Sequence, residues 1–162
     1  LIKPDSGEIL IDGFDISKGG SLRKKIGLCD QKIFLTNDSI ESNITLGNEN
    51  FSMNFYNSII EKTQLKKFIS NIDSDFIIDE STDNISGGQL QRIGIARALF
   101  SDKEILVLDE FTSAIDPNTK IKILNNLLKK KNNKTYIIVS HDSDVIEYCN
   151  RTLDLKNIDE KK

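Results

Sequence analysis

The chain has no tryptophan, one histidine (His141) and two cysteines, Cys29 and Cys149, among its 162 residues. The cysteines lack C-x-x-C spacing and have a single imidazole to join them, which argues against a zinc site. A chain of this length buries a continuous core without disulfide or metal staples, so both are expected to be free, reduced thiols. Long apolar runs are also missing. The longest, Ile105 to Leu108 and Tyr136 to Val139, are strand-sized, against the roughly 20 residues that span a bilayer. There is no excess of positive charge: 22 Lys and Arg stand against 25 Asp and Glu, for a net charge of -3. With a pI near 5.3, the chain lacks the basic excess or stripe of a nucleic-acid surface, and Lys129-Lys130-Lys131 reads as a solvated helix end. No internal repeat is present, and the one low-complexity tract, Lys129 to Lys134, reads as a helix end and surface loop. The chain opens on Leu1-Ile2-Lys3-Pro4 with no signal-like segment, and it is expected to be a fragment. At 38% hydrophobic residues it fits one globular domain or a large piece of one.

What is present is organised in alternating blocks. Gly7 to Ile11 alternates ahead of a turn at Asp12-Gly13, with Phe14 to Ile16 beyond it, which predicts short antiparallel strands. Lys25 to Cys29 is a further strand candidate. From Gln31 to about Phe100 apolar residues fall at helical spacing, as in Phe55, Ile59 and Ile60, then Leu65, Phe68 and Ile69. Glu104 to Leu108 and Lys134 to Val139 are compact aliphatic strands, and their continuous hydrophobicity predicts burial on both faces. Between them, Asp116-Pro117 reads as an N-cap and first helical position, leading into Ile121, Ile123, Leu124, Leu127 and Leu128. Asp142 is expected to cap a short helix through Tyr148, and Thr152 to Leu155 to form a last strand. Strand, helix, strand predicts an α/β fold with parallel central strands.

In parallel α/β sheets ligands gather beyond the carboxyl ends of the strands. Three strands end in polar pairs: Asp30-Gln31, Asp109-Glu110 and Ser140-His141. Each pair alone is most simply a solvated strand end, but together they converge on one edge of one sheet. Neighbouring strand residues point to opposite sides, so Asp109 suits a hydrated Mg²⁺ and Glu110 suits a water whose proton it accepts. Ile85-Ser86-Gly87-Gly88-Gln89 runs directly into a helical stretch, Leu90 to Phe100, with Ile93, Ala96, Leu99 and Phe100 on its apolar face. Such a start exposes backbone N–H groups and the positive end of the helix dipole, a receiver for phosphate. It is equally an ordinary turn with Ser86 as cap.

The set Ser86-Gly87-Gly88-Gln89 with Gln91-Arg92, then Ile105 to Glu110, Ser113-Ala114-Ile115-Asp116 and His141, in this order and at these intervals, resembles the nucleotide-binding domain of ATP-binding cassette (ABC) transporters. The resemblance covers essentially the whole chain. In that family these are the signature motif, the Walker B strand, the D-loop and the switch histidine, and Gln31 resembles the Q-loop glutamine. It implies a P-loop NTPase-type parallel-sheet core, residues 1–30 and 101–162, interrupted by an α-helical subdomain, residues 31–100. It also implies that Asp109 and Gln31 hold Mg²⁺, Glu110 polarises the hydrolytic water, His141 contacts the γ-phosphate of ATP, and Gln31 senses that phosphate. Ser86, Gly87, Gly88 and Gln89 would meet ATP bound to the opposite subunit, and Asp116 would couple the paired sites. The implied partners are a second nucleotide-binding domain, in a homo- or heterodimer, and a transmembrane domain at the cytoplasmic face of a membrane.

Phe34-Leu35 followed by Ser39-Ile40-Glu41-Ser42-Asn43-Ile44 is similar to the pattern of exporter-type members, so export is the implied direction of transport. Cargo is left open among lipid, lipid-linked sugar, peptide and drug. Ile78-Asp79-Glu80 resembles the acidic loop that exporter domains turn towards their coupling helices, without its flanking glycines and arginine. The phosphate-cradling G-x-x-x-x-G-K-[ST] occurs nowhere in the chain, and Lys3-Pro4-Asp5-Ser6-Gly7 resembles the segment that follows it in the family. Without that loop the chain alone is not expected to bind ATP tightly or hydrolyse it. Two other readings remain: a soluble ABC-type ATPase acting on nucleic acid or ribosomes, disfavoured by the acidic pI, and a non-hydrolysing module paired with an intact partner.

Overall fold

A computed structural model of the chain describes residues 5–11, 13–15, 22–73, 75–78, 85–129 and 133–155. A small antiparallel hairpin comes first, β1 (Leu10–Ile11) paired with β2 (Phe14–Asp15), and Gly13 between them takes a left-handed φ of 80°. This is the hairpin expected there; Asp12 and Ile16 lie outside the described residues, as do Lys3-Pro4 and Asp79-Glu80. One helical turn, α1 (Leu22–Lys25), leads into β3 (Ile26–Cys29). The helices α2 (Ile40–Thr45), α3 (Met53–Lys62), α4 (Lys66–Ile69) and the long α5 (Gly87–Phe100) follow. The chain then alternates through β4 (Ile105–Asp109), α6 (Pro117–Leu124) with a wider π-helical continuation over Asn125–Lys129, β5 (Thr135–Val139) and α7 (Ser143–Ile146).

Most helix starts carry the short polar side chain that their unpaired N–H groups require. Ser39 accepts from Ser42 N at 3.0 Å, Asp116 from Thr119 N at 3.0 Å and Asp142 from Asp144 N at 3.0 Å. Pro117 occupies the first helical turn, where its missing N–H costs nothing. The α7 helix closes at Ile146, and Tyr148 belongs to the turn after it, its N–H reaching Val145 O at 3.1 Å.

The sheet runs β3-β4-β5, all parallel, with Gly27 opposite Leu106 and Leu106 opposite Tyr136, then Cys29 opposite Leu108 and Leu108 opposite Ile138. These residues form the inner face, on which Leu106 and Leu108 are fully buried. The α5 helix packs there, and its other side receives α2 and α3. A helix held between two layers must be apolar nearly all round, and Ile93, Ile95, Ala96, Ala98 and Leu99 are all buried. At its end Phe100 meets Phe51 edge-on at 5.4 Å and Phe55 at 5.9 Å.

Two expectations are corrected. The outer face of β5 is open among the described residues, with Ile137 51% and Val139 52% exposed, while Ile105 and Val107 on β4 are half-buried; Leu28 on β3, for which no such burial was expected, is 56% exposed. Unbroken aliphatic strands record that both faces favour cover, whereas burial needs a layer on each side, and the described residues supply one. Thr152 to Leu155 forms no strand and is exposed, because extended chain becomes a strand only by pairing its backbone groups and β5 gives this segment no ladder. The two faces of the sheet should respond differently to truncation. Leu106→Ala is expected to lower unfolding stability in urea by about 2–5 kcal/mol, and Leu28→Ala, on the open face, by less than about 1 kcal/mol.

Candidate functional site

Parallel registry brings the carboxyl ends of β3, β4 and β5 to one edge, so Asp30-Gln31, Asp109-Glu110 and Ser140-His141 follow three neighbouring strands. The ladder runs one bond past β4, from Glu110 N to Val139 O at 2.9 Å. There the chain turns sharply, with Glu110 at φ 44°, a left-handed conformation that costs a non-glycine residue roughly 1–3 kcal/mol. The turn aims its carboxylate at the end of β5, where Oε1 lies 2.8 Å from Nδ1 of His141. The Glu110 side chain is only 18% exposed and the imidazole 86%, so the acid sits inside the edge and the histidine covers it from solvent. Asp109 is half-buried on the last residue of β4, and Gln31 stands exposed just past β3.

The loop bearing His141 is anchored from behind. Lys120 of α6 is buried, and its Nζ lies 2.7 Å from both Asp142 Oδ2 and Asp144 Oδ2. That hydrogen bond holds the Asp142 carboxyl below the usual carboxylate range, and the two acids together raise the Lys120 ammonium. His141 is raised above its ordinary value near 6.5, first by the hydrogen bond to Glu110 and then by the attraction of its charge. A raised folded-state pKa stabilises the fold fully below the ordinary value and loses that contribution as pH rises through the raised one; solvent screening keeps it small at so exposed a ring.

At the start of α5, Ser86 and Gln89 form a reciprocal cap: Ser86 Oγ accepts from Gln89 N at 3.3 Å, and Gln89 Oε1 accepts from Ser86 N at 2.8 Å. Both polar ends are thus engaged in capping, while the Ser86 hydroxyl keeps its hydrogen to donate. This start packs on the loop after Glu110. A Cβ added at Gly88 would lie 2.8 Å from Ala114 O, too close for any side chain. Asp116 is engaged as the α6 cap, and the Thr119 N–H it accepts lowers its pKa. The loop thus joins Glu110 at one end to the signature-like glycines in its middle and Asp116 at its far end, whereas Ser86 and Gln89 are in no contact with Glu110 or His141 through the described hydrogen bonds.

Three side chains to which the sequence assigned no role of their own hold this geometry. Gln91 bonds the loop after Glu110, and Lys120 bonds the loop of His141. Arg97 donates to Asn43 O at 2.8 Å and Phe34 O at 2.8 Å. Asn43 is itself buried, accepting from Thr36 N at 2.9 Å and donating to Thr36 O at 3.0 Å. Together they set the loop after Gln31 and leave Phe34 79% exposed at its tip. A sequence signal existed for each: a polar residue set among the apolar positions of a helix. Neither cysteine is in a disulfide, and burial pushes the Cys29 thiol up to about 12, an inert group. Among the described residues no cluster of three or more His, Cys, Asp or Glu is arranged to hold a metal. Asp109 offers one half-buried carboxylate at the end of β4, and Mg²⁺ takes only one or two, completing its shell with water and phosphate oxygens.

The fold is that of an α/β protein whose candidate site lies at the carboxyl edge of a parallel sheet. Residues 1–113 match the ABC transporter family, and the chain belongs to it. It is 38% identical over 161 residues to the alpha-hemolysin translocation ATP-binding protein HlyB of Escherichia coli O157:H7, covering 95% of this chain and 22% of that protein. It is 37% identical over 153 residues to the ATP-dependent lipid A-core flippase of Pectobacterium atrosepticum, covering 91% of this chain and 26% of the flippase. A solved structure of a bacterial Atm1-family ABC exporter with ATP bound superposes with a TM-score of 0.81 at 33% identity, covering 89% of this chain and 26% of that one. The chain thus spans about a quarter of the length of these relatives.

His141 is the only histidine in the chain, so its imidazole signal titrates alone in a proton NMR experiment. Its midpoint is expected above 6.5, and Glu110→Gln should move it back towards the ordinary value; an unmoved midpoint would mean the pair does not form in solution. Gly88→Ala should lower stability by about 1–3 kcal/mol in chemical denaturation, since the new methyl group must push the helix start off Ala114.

Proposed function

We propose that this chain is part of the ATP-binding and ATP-hydrolysing domain of an ABC exporter, at the cytoplasmic face of a membrane. The observation that carries this reading is the Glu110–His141 pair at the ends of adjacent parallel strands, 2.8 Å apart beside Asp109, in a chain of this family. Residues 1–30 and 101–162 form the α/β core of the domain and residues 31–100 its helical subdomain.

In this reading Asp109 and Gln31 hold Mg²⁺, which supplies charge neutralisation on the phosphate oxygens. Glu110 orients a water and takes its proton as the oxygen attacks the γ-phosphorus and the bond to the β–γ bridging oxygen breaks, releasing ADP and phosphate, and His141 donates to a γ-phosphate oxygen. The Glu110–His141 hydrogen bond then gives way when phosphate takes the imidazole. Ser86, Gly87, Gly88 and Gln89 meet the ATP of a second nucleotide-binding domain through the α5 N-terminus and the Ser86 hydroxyl, and Asp116 lies at the joint of the paired sites. Phe34, exposed on a loop pinned by Asn43 and Arg97 just past Gln31, is where the transmembrane domain would read that joint. The phosphate-cradling G-x-x-x-x-G-K-[ST] is not in this sequence, so hydrolysis is assigned to the full-length protein.

The test is Mg²⁺-dependent ATPase activity of the full-length protein. Glu110→Gln is expected to leave ATP binding intact and to lower turnover by at least about 100-fold, the usual size of a lost general base. Undiminished hydrolysis would remove Glu110 from this role.

A further inference from the structure

The strain at Glu110 poses a question that its own segment does not answer: what holds the residue in a left-handed turn with its carboxylate aimed at His141. Its amide is held by Val139 O of β5. Its carbonyl accepts from Gln91 Nε2 at 3.2 Å, across from the second turn of α5, and from Ser113 N at 3.2 Å within the same loop. Gln91 is 6% exposed and directs both its donors and its carbonyl oxygen at this loop. The same Nε2 donates to Ser113 Oγ at 2.6 Å, and Oε1 accepts from Ala114 N at 2.8 Å. One amide thus clamps both ends of the Glu110–Ala114 turn, and an amide is the group suited to it, since it offers donors to a carbonyl and a hydroxyl and an acceptor to an N–H.

We propose that Gln91 is a positioning residue for hydrolysis: by clamping the Glu110–Ala114 turn it sets the direction of the Glu110 carboxylate and fixes that direction to the start of α5. The inference rests on the ATPase reading above and deepens it. Gln91 lies one turn beyond Gly88 on the same helix, and Gly88 abuts Ala114 O, so the α5 start and the Glu110 turn form one rigid piece. A displacement of Ser86 and Gly88, the residues assigned to the second subunit's ATP, is therefore carried to the acid that acts on this subunit's own ATP. Gln91 itself touches no reacting atom. Its contribution is geometric, and it acts through Glu110.

The experiment measures steady-state ATPase kinetics of the full-length protein carrying Gln91→Met, Gln91→Glu, Glu110→Gln and the double variant Gln91→Met with Glu110→Gln. Met fills the same volume without hydrogen bonds. Glu keeps an acceptor for Ala114 N and loses the donor to Glu110 O, and it serves if the Met variant fails to fold. Either substitution is expected to lower kcat by about tenfold or more with the KM for ATP changed less than about threefold, the signature of an interaction used in the transition state rather than in binding. In the Glu110→Gln background, Gln91→Met should cost less than about twofold further, because residues that act through one another are non-additive. A raised KM with kcat preserved, or a full tenfold loss on top of Glu110→Gln, would overturn the proposal and leave Gln91 a packing residue. Glu110→Gln retaining the parent rate would instead remove Glu110 from its assigned role, and absence of Mg²⁺-dependent hydrolysis in the unsubstituted protein would overturn the ATPase reading, two different failures.

Discussion

Everything at the candidate site follows from the parallel pairing of β4 with β3 on one side and β5 on the other. Parallel strands end on the same edge, so the register that sets Cys29 against Leu108 and Asp109 against Val139 also lines up the residues that come next. An antiparallel partner on either side would send Gln31 or His141 to the far end of the sheet. The register is in turn enforced by burial. Leu106 and Leu108 have no exposed surface to lose by staying in place, and a slip of one residue would turn both to the open face.

The second constraint is α5. It is buried on both sides because it separates the sheet from α2 and α3, and its first turns lie against the loop that follows Glu110. That arrangement explains why glycine stands at position 88 without appeal to any ligand: a backbone carbonyl occupies the space. The same glycine leaves the helix start open on its other side. Packing and ligand reception are compatible there, since each uses a different face of the same turn. A similar double use holds for Ser86, whose oxygen caps the helix while its hydrogen remains to donate.

Much of this could be read along the chain. The strand-end acids, the Asp116-Pro117 helix start and the apolar rows of α3 are local patterns, and local patterns report local structure. The α/β class followed from the alternation of strand and helix patterns, and the resemblance to the ABC family from short motifs in order, each ambiguous alone. What misled was reading hydrophobicity as burial: Ile137 and Val139 are as aliphatic as the buried Leu106 and Leu108, yet each is about half exposed among the described residues. Leu153 and Leu155 likewise alternate as a strand would and find no ladder to join.

The sequence by itself determined most strand and helix segments, Thr152 to Leu155 excepted, where the capped helices begin, and which residue types stand at the strand ends, because each depends on neighbours within a few positions. Only the tertiary structure decided that Glu110 turns left-handed and meets His141, that Lys120 braces Asp142, and that Gln91 clamps the loop from another element. These are contacts between residues 19 to 31 positions apart, and their geometry is set by how the helices and the sheet stack, which no periodicity along the chain encodes.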